Sequence, residues 1–245
     1  MDQKITVRVA TPADKSYAET ITKEMEESAK ARGTGIAKRS PEYIKKKMDE
    51  GKAVIAHTPD GTWVGFCYVE AWEHGKYVAN SGLIVSPPFR KSGVAKEIKR
   101  TVFDLSRKLF PDAKIFGLTT GLAVMKINSE LGYEPVTYSE LTNDDEFWKG
   151  CQSCVNYEIL VSKERKNCMC TAMLYDPVEK EKEKQLAVLP KINGVPVHAE
   201  RRHFANNFRL FERWVQFKQF VLLKGLRKRM SDSQDKGILG LLFFW

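Results

Sequence analysis

Residues 85–95, which read VSPPFRKSGVA, constrain the fold of this 245-residue chain more than any other segment. The segment follows a strand pattern and leads into an amphipathic helix pattern. Gly93 lets the backbone approach a ligand, and the small Ala95 permits close packing at the helix start. The first amides of a helix lack intrahelical partners and, with the positive end of the helix dipole, form an anion site. We therefore predict a diphosphate site, with Arg90 and Lys91 adding charge; an ordinary strand–loop–helix junction is the alternative.

The first 140 residues alternate strand and helix patterns. Strands are predicted at residues 4–10, 53–57, 63–72, 77–85, 114–119 and 134–141, and helices at 11–31, 41–51, 93–110 and 122–131. A turn signal at residues 58–61 and a glycine at position 75 connect three consecutive strands. These three strands are therefore expected to form an antiparallel meander.

This arrangement resembles the GNAT superfamily of acyl-CoA N-acyltransferases over residues 4–141. The resemblance rests on the R/Q-x-x-G-x-G/A loop, here residues 90–95, and on the L-G-Y/F motif, here residues 131–133. It implies an α/β (α+β) GNAT fold, with a mixed, mostly antiparallel central sheet, splayed strands and flanking helices. In the family, the pantetheine arm of the acyl-CoA lies in the splay, between the strands that correspond here to 77–85 and 114–119, and its pyrophosphate lies on the loop amides. The cofactor-binding residues implied in this way are Leu83, Ile84, Val85, Arg90, Lys91, Ser92, Gly93, Val94, Ala95 and Lys96.

The catalytic residues of the family do not transfer cleanly. Many members use a carboxylate on the strand before the loop as general base, but residues 78–81 here read VANS. Many use a tyrosine to protonate the departing thiolate, and Asn128 occupies that position. An ammonium acceptor must lose a proton before it attacks, so a relay is needed. Candidates for it are Glu70, Glu73, His74, Ser81, Thr119 and Thr120.

Two of these side chains, together with Asn128, are the candidate catalytic residues. Glu70 is the candidate general base, with a solvated strand carboxylate as the alternative. Ser81 is the second candidate catalytic residue. Asn128 is the third, and it is also a candidate ligand for the cofactor sulfur or pantetheine; an ordinary helix-surface asparagine is the alternative.

The loop at residues 31–40, ARGTGIAKRS, is basic and lies between the first two predicted helices. Arginine binds carboxylates with two parallel hydrogen bonds, so an amino-acid acceptor fits; a solvated basic loop is the alternative. The sequence also resembles the N-acylglutamate synthase-like group linked to arginine biosynthesis, which implies acylation of the α-amine of L-glutamate from acetyl-CoA or succinyl-CoA. The predicted substrate-binding residues are Arg32, Arg39, Asn80, Thr119 and Thr120.

Four late cysteines form a second signal: Cys151, Cys154, Cys168 and Cys170. Residues 155–161 read as a strand and residues 169–175 can return antiparallel, so a hairpin would bring both pairs together. Four thiolates in tetrahedral geometry suit structural zinc. We therefore predict a Cys-rich hairpin with a zinc site over residues 148–177, after a GNAT domain at residues 1–147; four reduced thiols in a small core are the alternative.

The net charge of +9 is concentrated in residues 178–245, which hold 14 Lys and Arg against 7 Asp and Glu. This segment is predicted to be a basic amphipathic helical tail that opens with a solvated Glu/Lys helix at residues 178–189. It could cover the main domain, mediate a homodimer or lie on an anionic surface. The main domain carries little net charge, so nucleic acid is not the partner that we expect.

Composition narrows the class of protein. The sequence has no run of 18 apolar residues, so no transmembrane segment is expected, and its first residues do not read as a secretory signal. Five cysteines without a signal favour a reducing cytosol, and we expect a cytoplasmic protein. Two functions remain open: an amino-acid N-acyltransferase, or a catalytically silent GNAT-fold module that senses acyl-CoA and uses its cysteines and tail to bind nucleic acid or protein.

Overall fold

The described part of the chain is built around one seven-stranded sheet, in the order β1-β2-β3-β4-β5-β7-β6. A computed structural model describes residues 4–33 and 38–188. They belong to the first of two compact units, residues 1–202. The second unit, residues 203–245, and with it most of the predicted tail, lies outside the described residues. The strands are β1 (Thr6–Val9), β2 (Ala53–His57), β3 (Trp63–Trp72), β4 (Tyr77–Val85), β5 (Lys114–Thr119), β6 (Glu134–Val136) and β7 (Thr171–Tyr175).

Seven α-helices flank the sheet within the described ranges. They are α1 (Ala18–Arg32), α2 (Pro41–Asp49), α3 (Val94–Leu109), α4 (Leu122–Glu130), α5 (Asp145–Lys149), α6 (Tyr157–Ser162) and α7 (Pro177–Val188). The amphipathic α3 buries Ile98 and Val102 against β1 to β4. Among the described residues, no helix is both long and apolar enough to cross a bilayer.

The predicted sheet class is confirmed, because β4 and β5 form a parallel pair in an otherwise antiparallel sheet. The predicted meander of β2, β3 and β4 is also confirmed. One helix starts later than its pattern indicates, because Pro12–Tyr17 forms a 3-10 turn before α1. Arg8 holds this turn with two hydrogen bonds, of 2.7 and 2.8 Å, to the Asp14 carboxylate.

The core consists of two apolar clusters, and different elements contribute to each of them. On one side, apolar side chains of α1 and α2, including Ile21 and Ile44, pack on Phe66 and Tyr68 of β3. Farther along the sheet, a second cluster, rich in aromatic side chains, packs on Phe116 of β5. Most of its side chains come from the segment after β6. Its members include Tyr138, Trp148 and Leu160. The late segment therefore completes the sheet and its core.

The predicted Cys-rich hairpin is wrong. Residues of its first predicted strand lie in α6, and β7 pairs antiparallel with β5 and β6. The apolar run at residues 155–161 is short, and such a run does not distinguish a buried strand from a helical turn. Burial of Leu160 in the aromatic cluster selects the helix.

Gly82 lies at a local irregularity in the pairing of β4 with β3. Its φ of +67° lies in the left-handed region, and an added Cβ would stand 2.5 Å from Cε1 of Tyr68 and 2.9 Å from Cε of Met25. Gly51 has nearly the same φ, +65°, with no atom within 4 Å of an added Cβ. Comparing the same substitution at these two glycines therefore separates the cost of backbone strain from the cost of steric crowding.

We predict that Gly82→Ala lowers the free energy of unfolding much more than Gly51→Ala. Both variants carry about 1–2 kcal/mol of left-handed strain, and only Gly82→Ala adds overpacking of about 1–3 kcal/mol. Urea unfolding followed by circular dichroism measures both. Equal losses would contradict the crowding at Gly82.

Candidate functional site

A cleft opens where β4 and β5 part. The parallel ladder joins Tyr77–Ala79 to Lys114–Phe116 and ends there, so the splay begins at Asn80. The cleft has a volume of about 310 Å³. Its walls come from β3, β4, β5, α3, α4 and the segment after β6. They include Arg39, Tyr68, Trp72, Asn80, Ser81, Gly82, Leu83, Lys99, Thr119, Thr120, Asn128, Phe147, Cys151, Cys154, Cys168 and Cys170.

A bulge in β4 lies in the cleft wall. Phe66 pairs with Ile84 and Tyr68 pairs with Ser81, so Gly82 and Leu83 together oppose the single residue Cys67. A bulge interrupts the ladder and leaves backbone groups unpaired. Ser81, Gly82 and Leu83 all line the cleft. An unpaired backbone N–H at this point can donate to the carbonyl oxygen of a ligand that lies along β4.

The strand–loop–helix unit predicted from the sequence forms beyond the bulge. β4 ends at Val85 and α3 begins at Val94, with Gly93 as its N-cap at a φ of +88°. An added Cβ on Gly93 would have no protein atom within 4 Å. Lys96 N already donates to Gly93 O at 2.9 Å. The first two amides of α3 have no partner within the helix, so they face open space suited to an anion.

The basic residues of the loop differ in what they contact. Arg90 donates to Val85 O at 3.0 Å, to Glu24 Oε1 at 2.9 Å and to Ser28 Oγ at 2.8 Å, so its guanidinium fastens the loop to α1. Lys96 pairs with Glu130 at 2.7 Å. Lys91 forms no ion pair within the described ranges. Of these three cations, Lys91 therefore keeps its charge available at the loop.

Arg39 stands at the cleft wall, and its Nη1 donates to Lys38 O at 3.0 Å. Its Nε donates to Tyr68 Oη at 2.9 Å, and its guanidinium lies 5.1 Å from the ring centre of Tyr43. No carboxylate pairs with it in the part of the chain that the structure describes. Ser81 stands opposite Tyr68 in the ladder between β3 and β4. Arg39, Tyr68 and Ser81 thus form a polar chain that leads to the bulge.

Glu70 lies beside this chain, two residues along β3 from Tyr68, and outside the cleft wall. Its side chain is 17% exposed, and its Oε1 accepts a 2.6 Å hydrogen bond from Lys47. Its Oε2 is buried without a hydrogen-bond partner. Burial raises the pKa of Glu70 to about 7 and lowers the pKa of Lys47, while the close ion pair opposes both changes. This carboxyl group can therefore exchange a proton near neutral pH.

A second polar group lies at the apex of the splay. Asn80 Oδ1 accepts from Tyr133 Oη at 2.9 Å and from Lys99 Nζ at 3.5 Å, and its Nδ2 donates to Ser106 Oγ at 2.7 Å. These contacts anchor the amide of Asn80 within the protein. Asn80 also lines the cleft, and its contact with substrate stays a prediction.

Asn128 lies in the cleft wall on α4. It is 1% exposed, and its Oδ1 has no hydrogen-bond partner. Its Nδ2 lies 3.8 Å from Met173 Sδ. A buried amide oxygen without a partner is costly, so this atom is suited to a ligand N–H or S–H in the cleft.

The four late cysteines gather at one end of the cleft, although the hairpin does not form. The neighbouring Cys168, together with burial, raises the pKa of Cys170. Burial, together with Cys154 and Cys168, raises the pKa of Cys151 to about 11. Nowhere in residues 4–33 and 38–188 do three or more His, Cys, Asp or Glu side chains form a group that could hold a metal. The predicted zinc site therefore has no support, and reduced thiols fit the geometry better.

The structure brings half of the predicted site residues to the wall of one cleft. Those in the cleft wall are Arg39, Asn80, Ser81, Leu83, Thr119, Thr120, Asn128 and the four cysteines. Ile84 and Val85 are buried, so only their backbone can reach a cofactor. The side chain of Arg32 and residues 34–37 lie outside the described residues. Sequence reasoning missed Tyr68, Lys99 and Tyr133, since each sits in a strand, helix or motif pattern that suggests only packing.

Comparison with known proteins identifies the fold. No protein-family model and no curated protein matches the chain. Among solved structures, an acetyltransferase of the GNAT family from Staphylococcus aureus Mu50 matches 71% of this chain and 99% of its own, with a TM-score of 0.51 and 13% identity. Rv2747 from Mycobacterium tuberculosis, solved with CoA, matches 70% of this chain and 98% of its own, at 0.50 and 17%.

An N-acetylglutamate synthase from Neisseria gonorrhoeae, solved with CoA and N-acetyl-glutamate, also matches. The match covers 72% of this chain, with a TM-score of 0.50 and 16% identity. The chain spans only 36% of the length of that synthase. At these identities the comparisons establish the fold.

We predict that Glu70 titrates near pH 7 in the folded protein. A carboxyl group whose pKa is raised from 4.5 to about 7 contributes stability that is fully present below pH 4.5 and is lost as the pH rises through 7. The loss is on the order of 2–3 kcal/mol between pH 5 and 8. Glu70→Gln should flatten this part of the stability profile in urea unfolding, whereas Glu158→Gln, at an exposed position, should leave it unchanged. A carboxyl resonance of Glu70 that titrates near pH 4.5 would contradict the assignment.

Proposed function

Because the chain has the GNAT fold, we propose that it is an acyl-CoA-dependent N-acyltransferase that acylates a small amine bearing a carboxylate. One observation carries the proposal: the splay, the β4 bulge and the start of α3 follow one another along the chain, from β4 into the helix after it. A thioester, a pantetheine arm and a diphosphate follow one another in the same order in an acyl-CoA. The chain therefore offers each part a matching group.

The cofactor would lie along β4. Its diphosphate would accept from the amides at the start of α3, with Lys91 as the nearby cation, because Gly93 leaves that space open. Its thioester carbonyl would accept from the backbone at the bulge. Several structures of this fold hold CoA, including the Mycobacterium tuberculosis and Neisseria gonorrhoeae proteins, which supports the choice of ligand.

The acceptor would enter beside Arg39. This guanidinium lines the cleft, and no carboxylate of the described residues pairs with it. A carboxylate of the substrate would therefore form an ion pair with it. The particular acceptor that we propose is L-glutamate. The acyl donor would be acetyl-CoA or succinyl-CoA, and the reaction would belong to arginine biosynthesis. The sequence resemblance and the N-acetyl-glutamate held by the Neisseria protein support this choice.

The reaction is a direct transfer. The neutral amine of the acceptor attacks the thioester carbonyl carbon and a C–N bond forms. The C–S bond then breaks with its electron pair on sulfur, and the nitrogen releases its extra proton to solvent to leave the amide. The amine must first lose a proton. Glu70 would take it through Tyr68, Ser81 or a water molecule, because its carboxyl group lies outside the cleft wall and exchanges protons near neutral pH.

We predict that Gly93→Val abolishes tight binding of acyl-CoA without unfolding the domain. An added Cβ has no protein atom within 4 Å, so the variant carries the backbone strain of a φ of +88° without steric crowding, and its side chain occupies the space into which the diphosphate must come. Isothermal titration with acetyl-CoA should show a loss of at least about tenfold in affinity. Unchanged affinity in the folded variant would sink the assignment of the loop. Binding without thiol release for any amino acid would instead favour the catalytically silent module.

We predict that Arg39→Ala impairs use of the acceptor and spares the donor. Loss of a charge-assisted contact costs about 1.5–3 kcal/mol, or roughly ten- to a hundredfold in kcat/KM for glutamate. The Kd for acyl-CoA should stay within about twofold. Lys38→Ala is the matched control, because this neighbouring cation pairs with Glu26 at 3.2 Å. A thiol-release assay across amino acids and polyamines measures the effect, and a preference for polyamines would defeat the carboxylate assignment.

A further inference from the structure

Lys99 is a buried cation in the wall of the cleft. It is 2% exposed and lies on the inward side of α3, where the neighbouring inward positions carry the apolar Val94, Ile98 and Val102. Lysine is almost never fully buried unless it is paired. The amphipathic pattern of α3 therefore has a polar interruption where the helix meets the splay.

No anion within the described residues compensates Lys99. Its Nζ lies 3.5 Å from Asn80 Oδ1, at the limit of a hydrogen bond, and 5.3 Å from the ring centre of Tyr133. The oxygen of Asn80 is already the acceptor of the shorter bond from Tyr133. An uncompensated buried charge costs several kcal/mol. A site of this kind is completed by an anion that arrives with the ligand or forms during its reaction.

We propose that Lys99 is a catalytic residue that protonates the CoA thiolate as it leaves. This inference rests on the proposed acyl transfer. Once the C–S bond breaks, the sulfur carries the electron pair and a negative charge. The Lys99 ammonium gives this sulfur a proton, so that CoA leaves as a thiol and Lys99 becomes a neutral amine. Solvent then returns to Lys99 a proton equivalent to the one that the acceptor amine lost.

The position of Lys99 matches this task. It stands at Asn80, where β4 and β5 begin to part, and the reactive end of a pantetheine arm lying along β4 would point to that apex. Asn128, a buried polar residue that α4 contributes to this wall, has an amide that cannot protonate a thiolate. Lys99 is thus the cationic group in this part of the wall that can supply a proton.

Among the groups that face one another around Lys99, only Lys99 itself is expected to change its charge. Burial lowers its pKa, which brings its acidity closer to that of a thiol, at about 8.5, and favours proton transfer. The titratable groups that face it are Cys67 on β3 and Tyr133 before β6. Burial raises the pKa of Cys67 to about 11 and raises the pKa of Tyr133 as well. Both groups are therefore neutral where the enzyme would work, and Asn80 and Ser106 do not titrate.

The first test measures the pKa of the thiol of bound CoA. The ultraviolet absorbance of the thiolate is titrated with CoA and with desulfo-CoA, and the difference removes the contribution of the five cysteines of the protein. In Lys99→Met the bound thiol should titrate at least about one pH unit higher than in the wild type. Lys108→Met, an exposed position on the same helix, should match the wild type. An equal thiol pKa in Lys99→Met and the wild type would overturn the proposal.

The second test is kinetic. Lys99→Met should lower kcat by about a hundredfold or more, keep the Kd for acyl-CoA within a few-fold, and lose the fall in kcat at high pH that deprotonation of Lys99 causes. With an aryl thioester as donor, whose thiolate leaves without a proton, the defect should shrink to a few-fold. A defect of equal size with both donors would refute the acid role. Lys99→Gln provides a second uncharged variant if the methionine variant does not fold.

The two proposals fail in different ways. If wild-type protein binds CoA and releases thiol but the pKa of the bound thiol is the same in Lys99→Met, only the role of Lys99 is overturned. If wild-type protein neither binds CoA nor releases thiol, the acyltransferase proposal fails, and the role of Lys99 fails with it.

Discussion

The parting of β4 from β5 is the constraint on which the rest of the site depends. Their parallel ladder stops after Ala79 and Phe116, and backbone groups beyond that point need other partners. Pairing of β5 with β7 holds one arm of the splay, and the meander holds the other. The cleft is therefore a gap between two well-supported strands, and a ligand with amide groups can take the place of the missing ladder.

The opposite sides of this gap have different electrostatics. On the side of α1 and α2, Arg39, Lys47 and Glu70 bring two cations and one carboxyl group together around Tyr68 and Tyr43. On the side of α3, Lys99 is buried with neutral groups only. The first side is suited to an acceptor that carries charge and must lose a proton. The second is suited to a neutral arm whose far end becomes anionic during the reaction.

The cysteines show how a tight sequence pattern can be correct about proximity and wrong about architecture. Cys151, Cys154, Cys168 and Cys170 do gather at one end of the cleft. They reach it from the turns around α6 and from the residues before β7, because Leu160 and Trp148 are buried against Phe116. Apolar burial thus decided how this segment folds, and metal-ligand spacing did not predict it.

Local sequence determined the elements whose causes are local. The strand before residue 85, the left-handed Gly93 and the apolar stripe of α3 need only their neighbours, so the loop could be predicted. The part played by Lys99, the pairing of Glu70 with Lys47 and the engagement of Asn80 by Tyr133 join residues 19 to 53 positions apart. No sequence period records such contacts, because desolvation and hydrogen bonding act only after helices and strands pack. Sequence thus determined where an anion could bind, and tertiary packing decided which side chains could move protons.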